Sequence, residues 1–513
     1  MTLRAPASRR DPSARRYPLF VTNPRSVEKA TWRVARTVVQ QDAHQRPETG
    51  ASRLRAANSS TALICSLVTG NCSMTSSFVQ SAPDMVRFPA DGRLVASRFC
   101  WFRLKTNSDA GILRGVVSKP KQPAARSLQV AGLFAGIGGI ELGLRQAGHE
   151  SALLCEIDVG ASRVLSRGFP YTTLVNDVRV LKHVGDADLV TAGFPCQDLS
   201  QAGRTAGIRG GNSGLVGHIF RLIDAKKGQP RWLMFENVSF MLHLDRGRAM
   251  RFLVDELERR GYEWAYRVVD TQAFGLPQRR QRVILLASRT EDPRDVLFAD
   301  DAAENERAHD GQLLCGFYWT EGLRGLGWAV DAVPTLKGGS TIGIPSPPAI
   351  WDPRDGSITT PEIRDAERLQ GFEADWTLPA LEVETVRRGH RWKLVGNAVS
   401  VPVARWVGER LARPGVFDDA LIGEGLKPGV AWPKAAFGRK GAAPHAVPVS
   451  MWPLNRSRPH LSEFLLYPRV PLSARAAIGF KSRLDISPLR YPAEFKRDLS
   501  RHVKQASRPT AVA

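Results

Sequence analysis

Short apolar runs alternate with amphipathic helical patterns between residues 128 and 288. The apolar runs read LQVAGLF, SALLCEID, TTLVNDV, ADLVTAGF, RWLMFENV and QRVILLAS. Helical patterns stand between several of them, at Ile140–Ala147, Leu215–Asp224 and Met250–Arg260. Because strands that alternate with helices build parallel sheets covered on both faces, we predict an α/β fold with a mostly parallel, doubly wound sheet and helices on both faces.

The alternation of strands and helices ends after Ala287. Residues 289–351 are rich in Asp, Gly, Pro and Trp, which predicts an irregular inserted domain. Helical patterns return at Pro361–Leu369 and Pro402–Leu411. Residues 413–459 are rich in Gly and Pro and are interpreted as a linker, followed by short basic helical stretches to residue 513.

Residues 1–127 show little sustained periodicity and no chemical motif, so we predict a basic, poorly ordered N-terminal extension. Its first twenty residues are Arg-rich with a single acid, which fits an organelle transit peptide as well as a tail or an over-extended start codon. No apolar run approaches the roughly 18 residues that span a bilayer. Six cysteines without a CxxC pair argue against a disulfide scaffold or a zinc ribbon and favour a reduced, intracellular protein.

The basic excess lies at the two ends of the chain. The net charge is +22, of which residues 1–127 carry +14 and residues 413–513 carry +10, while residues 128–412 carry −2. This distribution favours a polyanionic partner such as nucleic acid. Solvated Arg-rich tails would explain it equally well.

The motif GLFAGIGG, residues 132–139, joins the first predicted strand to the first helix. Glycines at such a turn let the backbone approach a ligand and direct the helix N-terminus towards it. The spacing is not GxGxxG, so a dinucleotide is not favoured. Glu156, after the second strand, suits the ribose hydroxyls of a nucleoside cofactor, and Asp177, after the third, suits an adenine amino group. A purely structural turn explains the glycines about as well.

Cys196 lies in GFPCQDLSQAGR, residues 193–204, just beyond a predicted strand. Pro195 fixes the backbone before it, so the thiol is presented at the carboxyl edge of the sheet, where such folds bind ligands. It is therefore a candidate nucleophile, although a lone cysteine is more often inert, as we expect for Cys155. The five glycines between positions 197 and 214 predict a mobile loop that closes over the site.

Glu236 belongs to FENV, residues 235–238, at the end of another apolar run. It would face the same edge as Cys196. A carboxyl group there could stay protonated through partial desolvation and donate to a ring nitrogen. A surface glutamate after a strand remains an alternative.

The fourth motif is LPQRRQRV, residues 276–283, which leads into the next strand. Strand alternation divides QRRQR between two faces, with Gln278, Arg280 and Arg282 on one and Arg279 and Gln281 on the other. Fixed guanidinium groups suit a carbonyl oxygen or a phosphate. A solvated basic turn remains an alternative.

These four motifs, in this order and spacing, resemble the DNA cytosine-5 methyltransferases of bacterial restriction-modification systems. Two later segments agree, TPEIRDAERLQGFEADW at 360–376 and GNAVSVPVARWVGERL at 396–411. The resemblance implies a Rossmann-like S-adenosylmethionine-dependent methyltransferase fold. It also implies a catalytic domain at 128–288, a small irregular target-recognition domain at 289–357, a return segment at 358–412 that completes the catalytic domain, and a linker with a basic extension at 413–513.

The resemblance further assigns roles to single residues. Cys196 is the implied nucleophile that adds to a flipped cytosine, Glu236 the group that binds and protonates the base, and Arg282, with Arg280, the group that steadies it. S-adenosylmethionine is the implied cofactor, and no metal is implied. The residues implied to hold the cofactor are Phe134, Gly136, Gly138, Glu156, Asp177, Pro195, Asn397 and Val399.

Double-stranded DNA is the expected partner, bound by a monomer in the bacterial cytoplasm at the nucleoid, with a cognate restriction endonuclease acting on the same site. The near-neutral centre then predicts that DNA is bound either by a basic cleft, formed for example by Arg204, Arg209, Arg279, Arg280 and Lys337, or by the basic C-terminal extension. Three alternatives stay open. They are an RNA cytosine methyltransferase, a non-enzymatic DNA-binding regulator on the same fold, and a dinucleotide oxidoreductase.

Overall fold

The computed structural model describes residues 126–195, 214–225, 229–323, 325–339, 345–427 and 429–506. The predicted N-terminal tail and its transit-peptide alternative lie outside these residues up to position 125. Cys196 and the loop predicted to close over the site, up to residue 213, also lie outside them. Within the described ranges, no helix has the length and apolar character to cross a membrane.

The strands of the described residues form two sheets and one isolated pair. In chain order they are β1 (Gln129–Leu133), β2 (Glu150–Cys155), β3 (Thr173–Val175), β4 (Leu189–Ala192), β5 (Trp232–Val238), β6 (Glu263–Asp270), β7 (Gln278–Arg279), β8 (Gln281–Ser288), β9 (Cys315–Phe317), β10 (Ala329–Val330), β11 (Val333–Pro334), β12 (Ala349–Asp352), β13 (Ser357–Thr360), β14 (Ala435–Gly438), β15 (His445–Ala446) and β16 (Val470–Pro471). The main sheet has the order β15-β14-β6-β8-β5-β4-β1-β2-β3, the small sheet has the order β10-β9-β12-β13-β16, and β7 pairs with β11.

The helices follow the strands in the predicted alternation. They are α1 (Gly139–Gln146), α2 (Val159–Gly168), α3 (Leu215–Ala225), α4 (Arg248–Arg259), α5 (Arg294–Leu297), α6 (Ile363–Leu369), α7 (His390–Asn397), α8 (Val401–Ala412), α9 (Leu461–Phe464), α10 (Ala474–Asp485) and α11 (Ala493–Ala506). Short 3-10 helices lie at Ser239–Leu242, Leu244–Gly247, Thr271–Phe274, Leu378–Glu382 and Asp419–Leu421.

The main sheet is mostly parallel. Strands β3, β2, β1, β4 and β5 pair in parallel. Strand β8 is antiparallel to both β5 and β6, so β6 runs in the same direction as β5. Every residue of β4 and all but the last of β5 are buried, which requires packing on both faces of the sheet. The predicted α/β architecture is confirmed.

Helix α8 returns to pack closely on α1. A side chain at Gly143 would lie 2.5 Å from the carbonyl oxygen of Val401, and one at Gly408 would lie 2.7 Å from Cβ of Ala147. The two glycines therefore allow the helix backbones to approach each other. This contact brings residues near position 400 to the same end of the sheet as the glycine-rich turn.

Residues 413–459 are packed structure rather than a linker. Strand β14 extends the main sheet by antiparallel pairing with β6. Trp432 and Trp452 are buried in the same hydrophobic core as the central strands. Arg267 of β6 is fully buried and donates to the carbonyl oxygen of Ser450 at 2.9 Å. Glycine and proline residues mark the turns of this segment, while its apolar side chains are buried in the hydrophobic core.

The inserted region and the C-terminal residues build one unit, which we call the small-sheet module (residues 313–360 and 470–506). Strand β16 pairs with β13 and completes the small sheet. The ring of Phe317 lies 5.2 Å from Phe480 of α10 and 4.9 Å from Phe495 of α11. The described residues of the insertion therefore include a small antiparallel sheet, which the sequence analysis did not predict. Its strands have only two to four residues, too few for a period-two pattern to be visible in the sequence.

Candidate active site at the carboxyl edge of the main sheet

A cavity of about 600 Å³ opens where the parallel strands of the main sheet end. Six of the residues predicted to hold the cofactor line it, namely Phe134, Gly136, Glu156, Asp177, Pro195 and Asn397. They come from the ends of β1, β2, β3 and β4 and from α7. The topology thus brings together residues that are up to 263 positions apart in the chain.

The glycine-rich turn after β1 has the backbone conformation that its sequence predicts. Gly136 has φ of +56° and Gly138 has φ of +82°, while Phe134 adopts φ of +55° despite its side chain. The two glycines differ in the space that a Cβ atom would find. At Gly136 nothing lies within 4 Å, whereas at Gly138 a Cβ would lie 2.6 Å from the ring of Phe169. Gly136 is therefore open to a ligand, and Gly138 is required by packing.

Glu156 connects the turn after β1 to the start of α2. One carboxylate oxygen accepts from the backbone N–H of Gly136 at 2.8 Å and the other from that of Asp158 at 2.8 Å. A carboxylate offers about four acceptor positions, so each oxygen keeps capacity for a hydroxyl group. The predicted ribose-binding role is compatible with this geometry.

Asp177 is engaged differently from the prediction. Both of its oxygens accept from the guanidinium of Arg179, at 2.7 to 3.0 Å, and one also accepts from the backbone N–H of that residue. The side-chain hydrogen bonds from Arg179 hold the pKa of Asp177 at about 2. Binding an adenine amino group here would require Arg179 to move.

Several residues that line the cavity were not singled out from the sequence, among them Ile157, Asp158 and Lys393. Ile157 presents an apolar side chain to the cavity and is 63% exposed. Asp158 caps α2 and accepts from His390 at 2.9 Å and from Lys393 at 3.1 Å. Burial opposes ionisation of Asp158, but the bonds from His390, the α2 backbone and Lys393 outweigh it and lower its pKa. An aspartate before a helical pattern is a capping signal that would have found Asp158.

The later segment contributes through α7 and the turn after it. Asn397, the last residue of α7, lines the cavity. Val399 is not among the residues that line the cavity. Its carbonyl oxygen lies against α1, where it would be 2.2 Å from a Cβ at Gly139. Val399 thus supports the N-terminus of α1.

The ENV segment positions the chain just before Cys196. Asn237 donates from Nδ2 to the carbonyl oxygen of Phe194 at 3.0 Å, and both residues are buried. The rings of Phe194 and Phe235 meet edge to face at 5.8 Å. Pro195 follows as an exposed residue on the cavity wall. The strand end that leads to Cys196 is therefore held by β5.

Glu236 and Arg282 form an ion pair at this edge. Nε of Arg282 lies 3.0 Å from Oε1 of Glu236, and both side chains are largely buried. Burial lowers the pKa of Arg282 and Glu236 raises it, with burial the larger effect. The other carboxylate oxygen, Oε2, faces Gly193, where a Cβ would lie 3.6 Å away. One oxygen of Glu236 is thus paired, and the other faces the wall of the cavity.

Arg280 lies elsewhere than predicted. It is 1% exposed, and its guanidinium donates to the carbonyl oxygens of Leu336, Gly396 and Ala398 at 2.6 to 3.3 Å. These bonds tie three chain segments together. Arg280 is therefore a buried cross-link rather than a group that reaches a substrate. Strand alternation predicted which face of the strand Arg280 lies on. It could not predict that segments from residues 336–398 cover that face.

The predicted basic cleft is only partly described. Arg204 and Arg209 lie outside the described residues, and Arg280 is buried. Lys337 pairs with Glu321 and lies 3.8 Å from the ring centroid of Tyr318. Arg279 is half-buried and makes no side-chain ion pair with a described residue. Cys155 is buried as expected, and burial raises its thiol pKa to about 12.

Glu141 is a buried carboxyl group that the sequence analysis did not consider. It lies on α1, is 1% exposed and accepts from Oγ1 of Thr191 at 3.1 Å. Its second oxygen has no hydrogen-bond partner among the described residues. A Cβ at Gly132 would lie 2.3 Å from the carboxylate, so the glycine in β1 makes room for it. Burial raises the pKa of Glu141 to about 7.

Comparison with known proteins identifies the family of the chain. Residues 128–312 match the C-5 cytosine-specific DNA methylases. The type II methyltransferase M2.BsuMI of Bacillus subtilis is 50% identical over 384 residues, which cover 73% of this chain and 98% of the relative. M.Bsp6I of Bacillus sp. (strain RFL6) is 30% identical over 319 residues, which cover 55% of this chain and 98% of the relative. The solved structure of the Schizosaccharomyces pombe Dnmt2 methyltransferase superposes with a TM-score of 0.41 at 17% identity, over 55% of this chain and 98% of that one.

The similarity to M2.BsuMI extends beyond the four motifs. Residues 128–412 make up 285 of the 513 positions, so an alignment covering 73% of the chain continues past that range. The alignment spans 98% of the relative, and 50% of the aligned positions are identical. The chain therefore belongs to the C-5 cytosine-specific DNA methylase family.

Proposed function

We propose that the protein is a type II DNA methyltransferase that transfers a methyl group from S-adenosylmethionine to carbon 5 of a flipped cytosine in duplex DNA. The reaction proceeds through a covalent adduct with Cys196. The observation that carries this proposal is the Glu236–Arg282 pair, 3.0 Å apart, beside the Gly193 wall of the cavity. We further propose that it acts as the modification enzyme of a restriction-modification system with a cognate endonuclease.

The cavity suits S-adenosylmethionine. Glu156 keeps acceptor capacity for ribose hydroxyls, Ile157 offers an apolar surface for the adenine ring, and open space at Gly136 admits a ligand against the backbone. The carboxylates of Glu156 and Asp158 also favour a cofactor with cationic groups. When bound, the cofactor supplies an electrophilic methyl group on a sulfonium centre.

The residues of the chain activate the cytosine. The Cys196 thiolate adds to carbon 6, a bond that pushes electron density to carbon 5. Glu236, through Oε2, binds the base and protonates ring nitrogen 3, while Arg282 holds the carboxyl group and steadies the base. After carbon 5 has gained the methyl group, a water molecule removes its proton, and the electron pair of that bond re-forms the double bond between carbons 5 and 6. The sulfur then leaves carbon 6 as a thiolate, and the proton on ring nitrogen 3 returns to Glu236.

The base must leave the duplex for this chemistry. Carbon 6 is inaccessible in stacked DNA, and flipping the nucleotide costs a few kcal/mol. The flipped base would enter where the insertion meets the carboxyl edge of the main sheet, because Gly338 lies against Asn397 of the cavity wall and Lys337 lies against the neighbouring Gly396. Contacts with the flanking phosphates would then hold the duplex in place.

A trapping experiment tests the proposal. A duplex containing 5-fluorocytosine, incubated with protein and S-adenosylmethionine, should form a denaturation-resistant protein–DNA complex, because fluorine cannot leave as a proton does. Bisulfite sequencing of a plasmid that carries the gene supplies the target site. Cys196→Ser should abolish both signals, whereas Cys315→Ser, at a buried thiol that does not line the cavity, should retain them. Full methylation by Cys196→Ser would overturn the covalent mechanism.

A further inference from the structure

The proposed reaction leaves the charge of the C-terminal residues unused. Residues 413–513 carry 17 basic and seven acidic side chains, while residues 128–412 are close to neutral. Eight of these basic residues and three of the acidic ones lie between positions 474 and 506, in α10, α11 and the turn between them. Half of the C-terminal excess, +5 of +10, therefore lies in this part of the small-sheet module.

Helix α11 has an apolar face and a basic face. Phe495 and Leu499 are fully buried and pack with the aromatic core of the module. The remaining face lines one surface depression with Lys496, Arg497, Ser500 and Lys504. The side chain of Arg497 is 75% exposed and that of Lys496 is 51% exposed. The cations are therefore held at the surface by a rigid helix.

Several of these cations have weak partners or none among the described residues. Lys496 lies 3.4 Å from Asp485, and Arg497 lies 3.8 Å from Glu494. Exposed pairs of this kind contribute little, so a phosphate competes for the same cation. Lys504 and Arg490 are exposed without an ion pair to a described residue. Arg501 differs, because it donates to the carbonyl of Asp355 and to Asp498 and so belongs to the fold.

A continuous series of contacts connects this face to the active-site cavity. A Cβ at Gly338 would lie 2.3 Å from Oδ1 of Asn397, so the insertion touches the cavity wall. Within the module, Lys337 pairs with Glu321. Arg483 of α10 donates to the carbonyl oxygen of Trp319 at 2.8 Å. Asp485, the last residue of α10, pairs with Lys496 of α11. These contacts therefore connect the basic face to the cavity at which the proposed reaction takes place.

We propose that the basic face of α11, defined by Lys496, Arg497 and Lys504, binds the phosphate backbone of duplex DNA outside the target cytosine. Arg497 and Lys504 are seven residues apart, or roughly 10 Å along the helix axis. Each DNA strand carries one phosphate per roughly 3.4 Å of helix axis, so two cations about 10 Å apart can contact different phosphates. Contacts of this kind orient a duplex and carry no sequence information.

The test is the salt dependence of DNA binding by the full-length protein. The probe is a fluorescently labelled 30-bp duplex of mixed sequence, titrated by anisotropy between 50 and 300 mM salt. The double variant Arg497→Gln/Lys504→Gln should lower the slope of log K against log salt concentration by about 2, since each phosphate contact contributes roughly 0.9. The turnover number at saturating DNA should stay unchanged.

The matched control is Arg439→Gln/Lys440→Gln, which also removes two exposed cations. These residues follow β14, beside the first residues of β6 and therefore at the edge of the sheet opposite the cavity. Their replacement should leave the slope unchanged. An unchanged slope in the α11 variant, or an equal fall in both variants, would overturn the proposal. So would a loss confined to the methylated sequence, because that would indicate base reading.

Discussion

Thr191 of β4 donates a hydrogen bond of 3.1 Å to Glu141 of α1, beneath the floor of the active site. Thr191 lies five residues before Cys196, and Glu141 lies three residues after Gly138. The bond therefore joins the strand that precedes Cys196 to the helix that follows the glycine-rich turn. The second oxygen of Glu141 has no described partner, so the neutral acid is the form that this site accommodates.

The buried carboxyl group predicts a specific pH dependence of stability. Burial raises the pKa of Glu141 to about 7, from an ordinary value near 4.5. The folded state therefore binds more protons than the unfolded state between these values, and its stability falls as pH rises through this interval. Glu141→Gln should match the wild type at pH 5 and be more stable at pH 8, by up to about 3 kcal/mol. Urea unfolding at both pH values measures the difference.

Glu384→Gln is the control for this measurement, because Glu384 is exposed. It should show no pH-dependent difference from the wild type. A Glu141→Gln difference that is constant from pH 5 to pH 8 would contradict the assignment of a neutral acid.

Asn237→Ala should impair catalysis more than folding. The side chain of Asn237 holds the carbonyl of Phe194, two residues before Cys196, so its loss allows the nucleophile to move. We expect kcat to fall by about tenfold to a hundredfold, the scale on which misplacement of about 1 Å acts. The KM for S-adenosylmethionine should change little. A raised KM with an unchanged kcat would instead place Asn237 in cofactor binding.

Replacing Arg282 of the QRRQR segment should affect mainly activity, whereas replacing Arg280 should affect mainly stability. Arg282→Lys keeps a cation near Glu236 but loses the geometry of the guanidinium, so it should reduce kcat with a nearly unchanged melting temperature. Arg280→Met removes the donors that bind three buried carbonyl groups and should destabilise the fold by more than about 3 kcal/mol. Thermal melting and single-turnover assays of both variants measure the contrast. Equal melting temperatures would contradict the structural role of Arg280.

The two glycines of the turn should also differ. Gly138→Ala places a methyl group 2.6 Å from the ring of Phe169 and should lower the melting temperature. Gly136→Ala meets no atom within 4 Å, so only its positive φ opposes the change, at a cost of about 1 kcal/mol. Its main effect should be weaker cofactor binding, measured by calorimetry. Unchanged cofactor affinity in Gly136→Ala would show that a ligand does not approach this turn.

Local sequence patterns were sufficient for the elements that form the central sheet. Runs such as RWLMFENV and QRVILLAS are continuous and apolar because β5 and β8 are buried on both faces, and that burial makes them recognisable without a structure. The positive φ of Gly136 and Gly138 likewise follows from residue type and position. Family resemblance supplied the roles proposed for Cys196, Glu236 and Arg282, which their spacing alone left open.

Long-range packing set the remaining features. Arg280 and Arg282 share a strand face in the sequence, yet one binds carbonyl groups from residues 336–398 and the other pairs with Glu236. The C-terminal residues complete the small sheet and its core through contacts across more than 100 positions, for example Thr360 with Val470. Alternation and composition describe neighbours along the chain, whereas these environments are created by segments that meet only when the chain folds.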